Sequence, residues 1–203
     1  MVVQREDTLL KGYSGLIVYA DDFVACFQYK QEAERFYELL KVRMAHFGLE
    51  MEESKTRLIE FGRFAAENRR KRGEGKPETF TFLGFTHYCS TARGGWFRVK
   101  RKNGKKKFAK KCRELNKMIR DMRTWKLADI FRKLNQILVG YYHYYGITDN
   151  GRCLYSMKYR IVRMLFYWLN RRSEKKSYTW EGFHDVLKHF PLAEPMIYVH
   201  VYS

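Results

Sequence analysis

The sequence predicts an α+β fold, in which short antiparallel hairpins with one helix occupy residues 1–101 and an all-helical region occupies residues 102–203. Short runs rich in β-branched and aromatic residues mark strands in the first region, whereas apolar residues recur every three or four positions after residue 105. The charge divides as well. Residues 1–60 carry a net charge of −3 and residues 61–203 carry +21, so that the whole chain carries +18.

The first predicted domain begins with a hairpin over residues 15–28. Two apolar runs flank Asp21 and Asp22, which therefore lie at or next to the turn. Residues 31–47 place apolar side chains at helical spacing, which predicts an amphipathic helix that Gly48 ends.

The rest of this domain alternates between short strands and polar connections. Residues 49–51 and 56–61 predict two short strands around a polar turn. Residues 67–78 contain no apolar residue and two glycines, which predicts an exposed loop. A second hairpin is predicted to pair residues 79–88 with residues 96–101.

The second predicted domain consists of helices. The helical segments cover residues 105–122, 127–145, 152–169 and 180–189. The first is strongly basic, and either Met118 or Ile119 continues its apolar face. The aromatic run Tyr141–Tyr145 is expected to be core and interface more than a surface on which bases stack.

Composition excludes several classes of protein. A hydrophobic share of 45% is too high for a disordered chain. The longest apolar run, Met164–Leu169, is far shorter than the roughly 20 residues of a membrane span. The four cysteines form no CxxC pair and therefore indicate reduced thiols in a cytoplasmic protein, not a disulfide framework or a zinc site.

The basic charge predicts a polyanionic partner, and nucleic acid fits better than a membrane surface because no insertable apolar face follows the basic stretch. Residues 98–126 contain 14 Lys and Arg against two acidic residues. The helical phase places a row of cations on the polar side, at spacings that suit phosphate contacts. The predicted nucleic-acid-binding residues are Lys105, Lys106, Lys110, Arg113 and Lys117, with Arg171 and Arg172 as a second group.

Asp21 and Asp22 have two interpretations. Adjacent aspartates in a polar turn are usually just a turn, because Asp hydrogen-bonds its own backbone. Here they lie between apolar strands that we expect to be buried on at least one face, where carboxylates are unfavourable unless a cation neutralises them. Mg²⁺ prefers such oxygen ligands, and two ions would activate a 3′-hydroxyl and stabilise a leaving pyrophosphate.

The segment Tyr19-Ala20-Asp21-Asp22 resembles the YxDD active-site hairpin of reverse transcriptases, in the YADD form typical of group II intron-encoded enzymes. Later segments resemble further blocks of the same family in the same order. These are Phe47–Glu50 with Ser54–Thr56, Phe80–Phe85, Leu134-Asn135 with Gly140–Tyr145, and Leu169–Ser173. The resemblance implies part of a reverse-transcriptase palm followed by a helical thumb or maturase domain.

The resemblance also implies roles for individual residues. Asp21 and Asp22 would be catalytic and bind Mg²⁺, with Tyr19 and Ala20 as neighbours in the active site. Lys55, which is otherwise most often a solvated turn lysine, would lie near them. In this family the segment that corresponds to Phe82, Leu83 and Gly84 holds the primer terminus. The implied partners are intron RNA, an RNA template and a DNA primer.

The resemblance is incomplete upstream of the hairpin. Only 18 residues precede Tyr19, and their acidic residues, Glu6 and Asp7, stand in a polar segment. We therefore expect the fingers, the first half of the palm and its metal ligand to be missing, and the chain alone to be catalytically incomplete. Three interpretations stay open: the palm and thumb portion of an RNA-directed DNA polymerase, an RNA-binding maturase-like module, or a non-catalytic remnant of a truncated mobile element. Whether a separate chain supplies the fingers is left open by the sequence.

Overall fold

A computed structural model describes residues 2–3, 10–175 and 177–202. The described residues form six strands and six helices, which confirms the predicted α+β class. The chain divides into two compact units. Unit 1 comprises Met1–Phe82 and Tyr88–Val99, and unit 2 comprises Leu83–His87 and Lys100–Ser203. The domain boundary after residue 101 stays a prediction.

The first sheet of unit 1 is antiparallel, with strand order β1-β2-β3. Its strands are β1 (Val2–Val3), β2 (Ser14–Tyr19) and β3 (Asp22–Phe27). β2 and β3 pair from Ser14 opposite Phe27 to Tyr19 opposite Asp22, which confirms the predicted hairpin and leaves Ala20 and Asp21 as a two-residue turn. Ala20 has a φ of +52°, as the first central position of a primed hairpin turn requires.

Unit 1 also contains α1 (Lys30–His46) and α2 (Ala65–Lys71). α1 confirms the first predicted helix. α2 shows that the predicted loop over residues 67–78 is wrong for residues 67–71. The segment consists largely of good helix formers, and Glu67 pairs with Lys71 one turn later at 2.8 Å. Because an almost wholly polar helix has no apolar period, the pattern that predicts the other helices cannot detect it.

The two strands predicted over residues 49–51 and 56–61 do not form. The polar turn between them does, because the backbone N–H groups of Lys55 and Thr56 both donate to the carbonyl oxygen of Glu52 at 3.0 Å. Apolar residues in this short stretch are therefore no evidence of strand pairing.

A second sheet has strand order β4-β5-β6. Its strands are β4 (Phe80–Phe82), β5 (Phe85–Thr91) and β6 (Phe97–Asn103). The strand predicted over residues 79–88 is broken at Leu83 and Gly84, whose φ angles are +48° and +81°. Positive φ is incompatible with extended backbone, so the chain turns between β4 and β5.

The helices of unit 2 are α3 (Lys105–Asp121), α4 (Leu127–Tyr145), α5 (Gly151–Leu169) and α6 (Trp180–His189). Each confirms its predicted segment to within one residue at either end. Their apolar faces meet in one core, to which α5 contributes Leu154, Met157, Ile161, Leu165 and Leu169. On α3, Ile119 is buried and Met118 packs against the core from outside, which decides between the two alternatives.

Two buried asparagines join the strand, turn and helices of unit 2. The Asn150 side chain accepts from the backbone N–H of Asn103 at 3.0 Å and donates to the carbonyl oxygen of Tyr145 at 2.8 Å. Its amide also donates to the Asn103 side chain, which in turn donates to the Tyr141 hydroxyl. This network holds the end of β6, the end of α4 and the start of α5 together.

Gly146 ends α4 where the C-terminal segment passes closest. A Cβ at this position would lie 2.3 Å from the carbonyl oxygen of Tyr142 and 2.5 Å from that of Met196. The Gly146 carbonyl oxygen accepts hydrogen bonds from Tyr198 at 2.7 Å and from Val199 at 3.0 Å. Only glycine fits here without a shift of the backbone. Among the described residues, no helix has the length and hydropathy needed to cross a membrane.

Candidate catalytic hairpin and nucleic-acid interface

The Asp21-Asp22 pair lies at the tip of the β2–β3 hairpin, Asp21 in the turn and Asp22 as the first residue of β3. Both aspartates are exposed. The strands beside them are exposed too, since Ile17, Val18 and Phe23 are 41%, 44% and 40% exposed. The expectation that these strands are buried on one face near the pair is therefore wrong in this chain. The carboxylates need no cation to offset burial, and the case for a metal rests on their chemistry and their motif.

The other predicted residues of the hairpin tip surround the pair as the sequence suggests. Tyr19 and Ala20 immediately precede it and are exposed. The Lys55 ammonium forms an ion pair with the Glu52 carboxylate. Glu52 raises the pKa of Lys55, and the negative charges of Asp21 and Asp22 raise it further. Lys55 therefore lies within electrostatic range of the aspartates, although its role stays a prediction.

The hairpin tip offers two carboxylates as ligands for a divalent cation. Two adjacent carboxylates provide the hard oxygen ligands that Mg²⁺ takes, and this ion usually keeps several of its waters. No cluster of three or more His, Cys, Asp or Glu side chains that could hold a metal occurs within residues 2–3, 10–175 and 177–202. Glu6 and Asp7, the acidic residues upstream, lie outside the described residues. The pair thus fits a cation held mostly by water and by a bound phosphate.

Leu83 and Gly84, which the sequence likens to a primer-holding segment, form the positive-φ turn of unit 2. The Tyr144 hydroxyl donates to the Leu83 carbonyl oxygen at 2.9 Å, and the Gly104 N–H donates to the Gly84 carbonyl oxygen at 2.8 Å. A Cβ on Gly84 would lie 3.1 Å from the Tyr145 hydroxyl and 3.6 Å from Cδ of Lys107. The turn therefore lies beside the basic start of α3. Phe82 is the last residue of β4 and belongs to unit 1.

The basic side of α3 is exposed, as its helical phase predicts. We call this surface the α3 basic face; its members are Lys105, Lys106, Lys110, Arg113 and Lys117. The opposite side buries Cys112, Leu115 and Ile119. Within the described part of the chain, no ion pair involves a member of the α3 basic face. Their charges are thus available to an external anion.

A groove of about 590 Å³ runs between α3 and α4. Lys107, Lys110 and Lys111 line one side, and Tyr141 and Tyr145 contribute aromatic surface. Lys107 and the tyrosines that support the Leu83–Gly84 turn are functional candidates that the sequence reasoning missed. Lys107 belonged to the predicted basic stretch, but only the packing of α3 on the turn distinguishes it from its neighbours.

The second predicted basic group divides in two. Arg171 is exposed, and its guanidinium lies 3.5 Å from the centre of the Tyr167 ring. Arg172 is half-buried and donates to the carbonyl oxygen of Trp125 at 3.0 Å. Arg171 is therefore placed to meet a ligand, whereas Arg172 holds the connection between α3 and α4.

The aromatic run at the end of α4 mainly serves the core, as expected. Tyr141 and Tyr142 are buried, and burial raises the pKa of both phenols. Tyr144 is exposed but hydrogen-bonds the Leu83–Gly84 turn and stacks on Phe85 with ring centres 6.0 Å apart. The run thus supports the interface more than it presents rings to a ligand.

Two family models match the chain. The reverse transcriptase (RNA-dependent DNA polymerase) family matches residues 3–87, and the group II intron, maturase-specific domain matches residues 105–184. A comparison with curated proteins finds no significant match. Reverse transcriptases use divalent metal ions, and both domains imply nucleic-acid binding. The first match includes the hairpin with Asp21 and Asp22 and the Leu83–Gly84 turn, and the second includes the α3 basic face, in the order of the family. The chain therefore belongs to the group II intron reverse transcriptases/maturases, a family of RNA-directed DNA polymerases.

Proposed function

We propose that the α3 basic face binds the phosphate backbone of RNA. The observation that carries this proposal is a row of exposed cations on one side of a helix whose other side is anchored in the core. The row follows successive turns of α3, so its charges track a strand over the length of the helix. Contacts of this kind position nucleic acid without reading its sequence.

The Leu83–Gly84 turn lies at the start of this row, beside Lys107. Because Gly84 has no side chain, the Tyr145 hydroxyl and the Lys107 side chain can lie close to the turn, which places a cation beside it. We infer that a nucleic-acid strand passing along α3 continues over this turn. The function of a primer-holding segment would then follow from the same surface.

We infer that the RNA is the structured RNA of a group II intron, since the maturase-specific match covers the whole of α3. Because backbone contacts do not read sequence, a preference for this RNA would come from its folded shape. Competition between a folded intron RNA and an unfolded transcript of equal length and composition tests this. Equal competition by both would contradict a shape preference.

The dependence of RNA affinity on salt tests the α3 basic face. Replacing Lys106, Lys110, Arg113 and Lys117 by glutamine should reduce the slope of log affinity against log salt by about three to four contacts, at about 0.7 per phosphate on single strands. Folding should be unaffected because these side chains are exposed. A matched control replaces four exposed cations of unit 1, Arg63, Arg70, Lys76 and Arg93, by glutamine.

The control variant changes the net charge by the same amount and should retain most of the slope of log affinity against log salt. An equal loss of slope in both variants would show that net charge, and not the α3 basic face, governs binding. An unchanged slope in the α3 variant would place the RNA surface elsewhere.

A second function, metal-dependent nucleotidyl transfer in the complete polymerase architecture, is supported by the Asp21-Asp22 hairpin tip. Both carboxylates are exposed there, and Lys55 lies within their electrostatic range. When bound, Mg²⁺ would activate a 3′-hydroxyl and stabilise the charge on a leaving pyrophosphate. Asp21, with Asp22 second, would hold the ion, and the Lys55 ammonium would attract the phosphates of a substrate.

Binding of Mn²⁺, a paramagnetic substitute for Mg²⁺, tests this role without requiring polymerisation. Replacing Asp21 by asparagine should weaken the enhancement of water proton relaxation by Mn²⁺, whereas Glu50→Gln, an exposed carboxylate elsewhere in unit 1, should leave it intact. Asp21→Asn should not lower RNA affinity, because it removes a negative charge. Equal Mn²⁺ binding by the wild type and Asp21→Asn would contradict the assignment.

A further inference from the structure

The exposed side of α5 has an unusual composition. Every exposed side chain between Gly151 and Leu169 is either arginine or tyrosine, and the helix contains no acidic residue. The exposed members are Arg152, Tyr155, Tyr159, Arg160, Arg163 and Tyr167. By contrast, the exposed side of α3 includes Glu114 and Asp121, and that of α6 includes Glu181 and Asp185. A helix side that serves only solubility normally mixes both signs of charge.

Four of these positions form one ridge with Arg171, and we call it the α5 tyrosine–arginine ridge. Its members follow one another at intervals of four residues: Tyr155, Tyr159, Arg163, Tyr167 and, just past the helix end, Arg171. Residues four apart are neighbours on a helix surface, and sixteen residues at about 1.5 Å each extend over about 24 Å. The ridge is thus long enough to meet several nucleotides.

Contacts within the ridge hold its flat groups in position. The Arg163 guanidinium lies 5.9 Å from the centre of the Tyr159 ring and donates to the Tyr159 hydroxyl at 3.2 Å. The Arg171 guanidinium lies 3.5 Å from the centre of the Tyr167 ring and donates to the Tyr167 carbonyl oxygen at 3.1 Å. From Tyr159 onward, tyrosine rings and guanidinium groups therefore alternate along the ridge, and each guanidinium contacts the tyrosine before it.

The packing of unit 2 does not require these rings. α5 fills the core with its opposite side, through residues such as Leu154, Ile161 and Leu165. Tyr155 and Tyr159 are each 60% exposed, and Tyr167 is 46% exposed. About half or more of each of these three large aromatic side chains is thus exposed, and none of them belongs to the buried core. The arginines beside them form no ion pair within the described part of the chain.

We propose that the α5 tyrosine–arginine ridge is a stacking surface for unpaired nucleotides of RNA. Bases would stack on Tyr155, Tyr159 and Tyr167, while Arg152 and Arg163 would contact the phosphates between them. Unpaired bases expose their faces and stack on aromatic side chains, whereas the bases of a duplex are already stacked on one another. The ridge offers cations and ring faces and no acidic group, which complements single-stranded RNA better than a protein surface.

This inference rests on the proposed function, because it assigns single-stranded segments of the bound RNA to α5 and phosphate-backbone contacts to α3. The two surfaces make different predictions. Loss of α3 charge changes the salt dependence of binding to any RNA. Loss of the α5 rings removes an interaction that requires accessible bases, and leaves the salt dependence as it was.

The test compares single-stranded and duplex RNA of about 12 nucleotides, in binding assays with the whole chain at fixed salt. Replacing Tyr155, Tyr159 and Tyr167 together by alanine should weaken binding of the single strand about tenfold or more, and binding of the duplex by less than about twofold. The matched control replaces the same three residues by phenylalanine, which keeps the rings, and should retain the affinity for the single strand. Circular dichroism checks that all variants fold.

Equal weakening on single strand and duplex, or unchanged affinity for the single strand, would overturn the stacking surface. In that case, a lower slope of log affinity against log salt in the α3 variant would still support the proposed RNA-binding function. The ridge would then be expected to bind a protein instead of RNA. Failure of the unmodified chain to bind RNA in a salt-dependent manner would overturn both proposals.

A second variant and a direct readout guard against misfolding of the triple alanine variant. Tyr155→Ala alone, at the end of the ridge nearest the start of α5, should weaken binding of the single strand about fivefold. Photo-crosslinking with RNA that contains 5-iodouracil should attach the strand to peptides of α5 in the wild type. Crosslinks confined to peptides outside α5 would contradict the proposal.

Discussion

Unit 1 and unit 2 differ most in what they bury. Of the eighteen buried apolar side chains of the described residues, all but Ala65 belong to unit 2. Unit 1 is not poor in apolar residues, since its strands and α1 contain many, but most of them are exposed or half-buried. Burial of apolar surface is the dominant favourable contribution to folding, so the two units have very different internal stabilisation.

A comparison of two helices shows the same contrast. α1 and α4 have 17 and 19 residues, and apolar residues recur at helical spacing in both. α4 buries six side chains, whereas α1 buries none. An apolar stripe therefore predicts that a helix forms. The stability of that helix depends on another part of the chain that covers the stripe.

A pair of leucine-to-alanine variants should give the largest difference between the units. Leu165 in α5 is fully buried, so Leu165→Ala should lower the free energy of unfolding by about 2–5 kcal/mol. Leu39 in α1 is 58% exposed, so Leu39→Ala should change it by less than about 0.5 kcal/mol. Urea denaturation followed by circular dichroism measures both, and equal effects would show that the exposed side of α1 around Leu39 is covered in solution.

Amide hydrogen exchange compares the units without substitution. Backbone amides of α5, such as those of Ile161 and Leu165, should exchange at least about 100-fold more slowly than those of Ile17 and Val24 in the β2–β3 hairpin. The reason is that strands with few buried contacts open locally, whereas the core helices open only with unit 2 as a whole. Equal protection of hairpin and core would mean that unit 1 is stabilised by something other than its own packing.

Removing part of the buried asparagine network should lower the free energy of unfolding by an intermediate amount. Asn150→Ala removes the partner of the Asn103 backbone N–H and of the Tyr145 carbonyl oxygen, and should lower the free energy of unfolding by about 1–3 kcal/mol. Asn68→Ala in unit 1 removes one hydrogen bond to Glu60 near the surface and should lower it by less than about 1 kcal/mol. If Asn150→Ala lowers the free energy of unfolding as little as Asn68→Ala does, water reaches the hydrogen-bonding groups of the network.

The dependence of stability on pH should give the smallest difference between the two units. Burial, aided by the positive charge of Arg101, lowers the pKa of His87 in unit 2. The unfolded chain therefore binds a proton more readily than the folded one below about pH 6.5, and stability should fall as the pH drops through this range. In unit 1, the hydrogen bond from Arg72 lowers the pKa of Glu60, so the stability from this pair is lost only below about pH 4.3.

Thermal denaturation at a series of pH values checks this order. His87→Gln should remove part of the loss between about pH 6.5 and 5 and should leave the region near pH 4 unchanged. Above about pH 7.5, where His87 is neutral in both states, the wild type and the variant should differ by a constant amount. An identical pH dependence of the two proteins would contradict the role of His87.

Much of the fold and of the candidate site follows from short-range patterns. The limits of α4 and α6 are predicted to the residue because apolar spacing and the following Gly146 or Pro191 are local signals. The hairpin at Asp21 and Asp22 and the exposed side of α3 follow for the same reason. α2 is not predictable in this way, since ion pairs and helix propensity stabilise it without an apolar period.

Other features depend on residues far apart in the chain. The hydrogen bond from Tyr144 to Leu83 joins residues 61 positions apart, and that between Asn103 and Asn150 joins residues 47 apart. No local pattern marks Lys107 as a neighbour of the Leu83–Gly84 turn. Side chains such as these acquire partners only when the helices pack.

By itself, the sequence determined the positions of every helix except α2, the side of α3 that carries positive charge and the order of the motifs that mark the family. Each of these depends on residues within a few turns of one another. The tertiary structure decided which apolar stripes are buried, where the Leu83–Gly84 turn lies and that α5 presents only tyrosine and arginine to solvent. The physical reason is that periodicity records which side of a helix is apolar, whereas burial requires a second surface from another part of the chain.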